Sequence, residues 1–310
     1  MRVGRHKIEI SHKEKIFFPK AGLTKGDLID YYRHVAQKIL PHTRRYAASM
    51  QRFPDGLNGP GFYCKDTPDY FPSWIKTVNF PKRENGNFSA PLIDKEAVLI
   101  YLADQAMITP HLYLAPAKNL NRPDKMIFDL DPPENSLYFT AVRRAALDIK
   151  NFMHELGLKT WVQTTGSKGF HVLVPLDGKS GFEEVRNFAR KTAKTLVRRK
   201  PNAYTLEYRK SKRKGRIFMD IMRNSYGATA VAPYAVRARP QATVATPVEW
   251  EELKNEASPR DWTIKSIPGR LKNRKDPWKG IMRHGQSIKK RRYRLRELMG
   301  REKPAEEEQD

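Results

Sequence analysis

The sequence contains a single cysteine, Cys64, in 310 residues. A lone thiol permits no internal disulfide and no cysteine-rich zinc site. Long apolar runs are also missing, so no transmembrane helix is expected. The N-terminus, MRVGRHKIEI, lacks the apolar stretch of a signal peptide. The chain therefore reads as cytoplasmic, with no membrane partner. No internal repeat is visible. Hydrophobic residues make up only 39%, the low end of globular usage, so a core must lie under a very polar surface. Acid is scarce as well: 34 Asp and Glu face 59 Lys and Arg, a formal charge of +25. Self-repulsion on that scale opposes compaction, and nucleic acid is the obvious polyanion to offset it.

What is present is well patterned. Thr24 stands where an N-cap belongs, Asp27 follows three residues later, and Leu28, Tyr31, Tyr32, Val35 and Ile39 keep helical spacing. Residues 51–75, rich in Pro, Gly and aromatics, read as a loop. EAVLIYLA at 96–103 reads as a strand, and KMIFDLD at 125–131 as another, stopped by Pro132 and Pro133. A helix is expected over 137–156, strands over 159–165 and 169–176, a basic helix over 182–199 and a strand over 215–221. Short strand-to-strand joins among mixed elements indicate an α+β fold with a largely antiparallel or mixed sheet. One folded unit, the functional domain, is expected over residues 1–278. Residues 279–310 are expected to form a solvated, basic helical tail led by Lys289-Lys290-Arg291-Arg292 and ending in the acidic tip Glu306-Glu307-Glu308.

Asp129 and Asp131 flank Leu130 at the end of an apolar strand, so their side chains share one face. Two carboxylates about 5 Å apart, at an effective dielectric near ~20, repel by about 3 kcal/mol. Protonation of one, or a bound divalent cation, relieves that repulsion. Asp220 occupies a similar place late in RIFMDI. Three strand-end carboxylates suit hard cations such as manganese or magnesium. Taken alone, D-x-D-P-P reads equally as an ordinary strand end and turn. The segment TTGSKGFH shifts the balance. A glycine-rich turn between two strands can cradle phosphate with its N–H groups, and Lys168 adds charge. His171 then opens an apolar strand, where a core residue would be ordinary.

Three motifs together carry a family resemblance: FDLDPP at 128–133, TGSKGFHVLVPL at 165–176 and IFMDIMRNSYGATAVAPYAVRARPQATVATPVEW at 217–250. On these the chain resembles the polymerase domain of bacterial and archaeal DNA ligase D, in the archaeo-eukaryotic primase superfamily. The resemblance runs from about residue 8 to Trp278. It implies a primase-like catalytic core, with helices flanking mixed or antiparallel sheets around a central active-site cleft. The implied activity is DNA-directed nucleotidyl transfer. Nucleotides, ribonucleotides by preference, would be added to 3′ ends at gaps or breaks during non-homologous end joining, by a two-metal mechanism. Asp129, Asp131 and Asp220 would bind manganese or magnesium. Thr165, Ser167, Lys168, His171, His111, Arg237, Arg213 and Arg52 would bind the nucleoside triphosphate. Phe62 and Tyr63 would stack on bases. Lys15, Lys25 and His12 would form a pocket for a 5′-phosphate. Ku and a separate DNA ligase stand as open partners.

The chain departs from the family pattern at three positions. Thr165 replaces a usual Ser, Gln51 a usual Lys and His12 a usual Asn. None removes a metal ligand. The adenylation motif of ligases, K-x-D-G, is absent: Phe53 and Pro175 occupy its Lys position before the Asp-Gly pairs at 55–56 and 177–178. Two other functions compete. A non-catalytic nucleic-acid-binding module would have no need of paired carboxylates aimed at a polyanion. A metal-dependent nuclease would have no need of a triphosphate pocket.

Overall fold

The computed structural model describes residues 1–81, 86–133, 139–255 and 257–300. The strands that matter here are β1 (Ala48–Arg52), β2 (Phe62–Cys64), β3 (Met107–Tyr113), β4 (Lys125–Asp131), β5 (Trp161–Thr164), β6 (Phe170–Pro175), β7 (Tyr204–Thr205), β8 (Ile217–Asp220), β9 (Thr229–Val231) and β10 (Pro247–Val248). The helices that matter here are α1 (Lys25–Thr43), α2 (Glu96–Asp104), α3 (Phe139–Glu155), α4 (Phe182–Arg199) and α5 (Arg292–Gly300). A main sheet runs β7-β8-β4-β6-β5-β10, antiparallel except for the β7–β8 pair. A second sheet runs β9-β3-β1-β2, all antiparallel. This is the expected α+β architecture.

Alternation along the strands divides the main sheet into two faces. Met126, Phe128 and Leu130 of β4 pack with Phe170, Val172 and Val174 of β6 and with α3 and α4 in one buried cluster. Ile127 and Leu173 point the other way, where they meet Leu114 and Ala230 from the second-sheet side. Asp129, Asp131 and His171 share that odd-numbered face, so the chemistry-bearing side chains look into the space between the sheets.

α1 has the expected capping box. The Thr24 hydroxyl accepts from the Asp27 N–H, and the Asp27 carboxylate accepts from the Thr24 N–H. The helix buries Leu28, Tyr32, Val35 and Ile39 against the second sheet's cluster, each worth about 1.5–3 kcal/mol. Three expectations need correction. Residues 96–103 form helix α2 rather than a strand. Its apolar residues are buried on nearly every side, so no amphipathic stripe marks it as helical. The neighbouring strand is instead β3. The 51–75 segment is not loop throughout: it includes the end of β1 and all of β2, which carries Phe62 and Tyr63 on the sheet edge. Nor is the tail a solvated appendage through residue 300, because Ile281, Ile288 and Leu295 are buried. The helix expected over 137–156 is present as α3, and the first two residues of that range lie outside the described residues. Glu306–Glu308 lie outside the described residues.

Candidate active site

Strand register builds the site. Asp129 on β4 sits opposite His171 on β6 and Asp220 on β8, and His171 sits opposite Gln163 on β5. Register partners project to the same side, so Gln163, His171, Asp129 and Asp220 form one row across four strands. Asp131, two residues on, lies beside that row. The Gln163 amide donates to the Val231 carbonyl (3.3 Å) and to His171 Nδ1 (3.3 Å). That leaves the His171 Nε2–H to face Asp129 Oδ1 at 3.3 Å.

The carboxylates do not share one electrostatic state. Burial alone would raise the Asp129 carboxyl, but His171 and Arg223 outweigh it and hold the group well below the usual range. The Asp131 carboxyl is pushed up to about 6 by burial and by the charges of Asp129 and Asp220. Burial also raises Asp220, with Asp129 adding to the effect against a hydrogen bond from the Met222 N–H. Arg223 is the local counter-ion: its Nε lies 3.0 Å from Asp129 Oδ2 and 3.9 Å from Asp220 Oδ2. Oxygen-only donors carrying excess negative charge suit a hard divalent cation. Among the described residues, however, no three acidic, His or Cys side chains are already grouped to hold one. The donors fit; to ligate a cation, Asp129 must exchange its arginine.

A cavity of about 520 Å3 opens over the His171–Asp129 part of the row. Its walls include Asp129, Asp131, Thr165, Ser167, Lys168, His171, His111, Arg237 and Tyr63, so nine of the expected residues meet there. The turn between β5 and β6 is fixed by Thr165. Its hydroxyl donates to the Gly169 carbonyl (3.0 Å) and accepts from the N–H groups of Gly169 (3.2 Å) and Ser167 (3.3 Å). Gly166 takes a left-handed φ of +62°, and a Cβ on Gly169 would stand 1.8 Å from the Leu130 carbonyl oxygen. The turn is thus pressed against the strand bearing the two aspartates. Ser167 accepts from Arg239 through its hydroxyl and from Arg260 through its carbonyl, each at 2.7 Å. Arg237 donates to the Thr165 carbonyl (2.7 Å), but its buried Nε has no partner among the described residues. His111 Nε2 is likewise buried and unpartnered. Burial, Arg237 and Arg223 keep the His111 imidazole neutral by lowering its pKa.

Other expected residues lie elsewhere. Arg213 stacks over Phe218 (4.2 Å) and lines an adjoining hollow of about 840 Å3 with Asp131, Asp220 and Arg223. Arg52 is tied to the Gln105 carbonyl and the Tyr70 hydroxyl, 5.7 Å from the Phe62 ring. It supports the aromatic edge and does not line the cavity. Phe62 (47% exposed) and Tyr63 (56%) stand free at that edge, and Tyr63 packs edge-on to His111 at 5.4 Å. The residues expected at the 5′-phosphate lie together, the Lys15 N–H donating to the His12 carbonyl, but both ammonium groups are paired with carboxylates. Lys25 is buried, with its ammonium 2.7 Å from Asp104 and donating to the Ser11 carbonyl and hydroxyl. Lys15 pairs with Asp55 at 2.7 Å. His12 is exposed at a turn. The chain does fold back here as its Pro and Gly suggest, joining the Lys25 N–H to the Lys15 carbonyl. Sequence reasoning missed Arg223, Arg239 and Gln163. The two arginines lie inside the quoted third motif; Gln163 had no signal beyond its strand.

Strand-end carboxylates facing a basic cavity, beside a glycine turn that can hold phosphate, define a polymerase-type nucleotidyltransferase. The profile of the LigD primase-polymerase domain matches residues 24–278. This chain belongs to that family. It is 32% identical over 273 residues to the multifunctional non-homologous end joining protein LigD of Pseudomonas aeruginosa, covering 87% of this chain and 32% of that protein. It is 27% identical over 281 residues to the bifunctional LigD of Bacillus subtilis, covering 90% and 45%. The chain therefore spans less than half the length of these relatives. The polymerase domain of Mycobacterium tuberculosis ligase D, solved in complex with DNA, superposes with a TM-score of 0.83 at 28% identity, covering 90% of this chain and 99% of that one. Among the described residues no helix is long and apolar enough to cross a membrane.

Proposed function

We propose that this protein is a primase-polymerase that adds nucleotides, preferentially ribonucleotides, to 3′ ends at DNA gaps or breaks during non-homologous end joining. The observation that carries the reading is that His171, Asp129 and Asp131 line a cavity rimmed by Lys168, Arg237 and Arg239, while Asp220, opposite Asp129 in the sheet, lines the adjoining hollow with Asp131. Asp129, Asp131 and Asp220 would hold two manganese or magnesium ions. When bound, such ions supply Lewis-acid activation of a 3′-hydroxyl and charge stabilisation for a leaving pyrophosphate. The cations around the cavity would take the triphosphate, with the Thr165-braced turn offering N–H groups to phosphate oxygens. Ser167, fixed between Arg239 and Arg260, keeps that turn in place. Phe62 and Tyr63 would stack on bases at the cavity mouth.

The ribonucleotide preference rests on two orphaned polar atoms, His111 Nε2 and Arg237 Nε. A buried group left without a partner costs about 1–3 kcal/mol. A 2′-hydroxyl that partnered either would bind more tightly than the hydrogen of a deoxynucleotide. The Thr165 hydroxyl in the same wall is committed to the turn and is not available to the sugar.

The test is primer extension on gapped, 5′-phosphorylated DNA, comparing NTPs with dNTPs in manganese and in magnesium. Metal-dependent extension favouring NTPs is expected, and a folded Asp220→Ala variant should bind DNA but not extend. Shortening of the primer would indicate a nuclease. A mobility shift alone would indicate a binding module. Equal efficiency for GTP and dGTP would remove the sugar preference.

A further inference from the structure

The formal charge of the chain is unevenly placed. Residues 279–300 hold eight Lys and Arg against one Glu, and α4 holds six against two, so these two segments carry +11 of the +25. They are one structural unit. Ile288 and Leu295 are buried in the same cluster as Val185 and Phe188 of α4, and Arg292 pairs with Glu184 at 2.5 Å. A groove of about 290 Å3 separates α4 from α5, with Lys191 on one lip and Arg296 on the other. Lys194 and Arg198 continue the Lys191 stripe at helical spacing. All four cations are exposed, and none has a salt-bridge partner among the described residues. Tyr293, 72% exposed, stands among them.

This unit lies behind the main sheet. α4 packs on the face formed by Met126, Phe128 and Leu130, whereas Asp129 and Asp131 look the opposite way. A duplex seated at the cavity mouth would have the thickness of the sheet between it and these cations. They therefore contribute nothing direct to binding in the cleft, and residues 279–300 lie beyond the family match at 24–278.

We propose that α4 and residues 279–300 form a second, sequence-independent contact surface for duplex DNA, so that one chain holds two DNA segments on opposite sides of its main sheet. Charge complementarity selects the partner. Duplex DNA presents one charge per ~1.7 Å of axis. Lys191, Lys194 and Arg198 are about 4.5 and 6 Å apart along α4, so each can meet a different phosphate. A lipid surface fits less well. A membrane-surface helix buries an apolar face in the bilayer, but Leu295 of α5 is already spent on docking to α4.

The experiment compares wild type with the triple variant Lys191→Glu, Lys194→Glu, Arg296→Glu. Stoichiometry with a short blunt hairpin duplex is read by analytical ultracentrifugation, and affinity is followed across a salt series. Two duplexes on wild type and one on the triple variant are expected, with nucleotide addition on a short gapped hairpin unchanged. The slope of log K against log salt for the lost step should account for up to about 2.7, at ~0.9 per phosphate contact. If reversal disturbs folding, Gln at the same three positions removes charge at similar size. A variant that keeps wild-type stoichiometry and salt slope overturns the proposal. Loss of binding to phosphatidylserine vesicles with DNA binding intact overturns it too. The cleft reading is tested separately: one duplex on wild type that the triple variant loses would keep this surface and remove DNA from the cleft.

Discussion

Replacing Arg223 with Met should create a protein that needs metal to be stable. In the wild type the Arg223 guanidinium lies 3.0 Å from Asp129 and 3.9 Å from Asp220. Met preserves much of the length and loses the charge. Removing one partner of a fully buried ion pair costs about 3–5 kcal/mol. Arg223 is partly exposed, so solvent screening reduces the figure to about 1–3 kcal/mol. In chelator, Arg223→Met should therefore unfold at lower denaturant than wild type. Manganese should restore much of the loss, because ligand at a hundredfold excess over Kd contributes about 2.7 kcal/mol. The variant should also bind manganese more tightly, since no cation has to be displaced; each ~1.4 kcal/mol saved is tenfold in Kd. Urea titrations with chelator and with manganese, and calorimetric titration of the ion, read both effects. Equal stability in chelator together with equal manganese affinity would refute the reasoning.

Asp131→Asn should behave in a pH-dependent way. The Asp131 carboxyl is pushed up to about 6, against about 3.9 when unfolded. The folded state thus holds that proton more tightly, and the stabilisation this gives is lost as pH rises from about 4 through about 6. Metal-free Asp131→Asn should gain on wild type over that window, by about 1–3 kcal/mol; an unchanged gap between pH 4.5 and 7.5 would contradict it. Gly169→Ala should drive the Leu130 carbonyl and its flanking aspartates out of place. A shift near 1 Å can cost ~10²-fold in rate, so extension at the wild-type rate would show that the close approach does not matter. Lys25→Ala should mainly destabilise the fold, by about 3–5 kcal/mol from a broken buried pair. Wild-type urea stability with selective loss of affinity for 5′-phosphorylated ends would instead make Lys25 an end-binding residue.

Much of this architecture was legible before any coordinates. α1 declared itself through Thr24 and Asp27, and β4, β6 and β8 through apolar runs with fixed ends. α2 did not, because a short apolar run such as EAVLIYLA looks alike as buried helix or buried strand. The meeting of Asp129, Asp131, His171 and Lys168 followed from motif order, but the pairing of Asp129 with Asp220 required the register of two strands about ninety residues apart. Arg223 escaped notice because a cation three residues after Asp220 has no distinguishing local pattern. The buried ion pair of Lys25 was not legible either. A lysine in the first turn of a helix suggests a phosphate ligand, and only the fold reveals Asp104 waiting for it. The docking of the tail depended on Ile288 and Leu295, two isolated apolar residues in a strongly basic stretch.

The single-row layout of the site makes it intolerant of changes in length. Deleting one residue within Lys125–Asp131 would turn the strand over, delivering Phe128 and Leu130 to the cavity and both aspartates to the helix layer. Deleting two would restore the facing but slide the carboxylates by about 6.8 Å, out of step with His171 and Asp220. Insertions and deletions should therefore be purged from these strands while substitutions of equal hydrophobic volume pass. The same constraint bears on engineering. Grafted or shuffled segments will preserve this centre only if their crossovers fall in connections outside β4, β6 and β8, whatever their sequence identity.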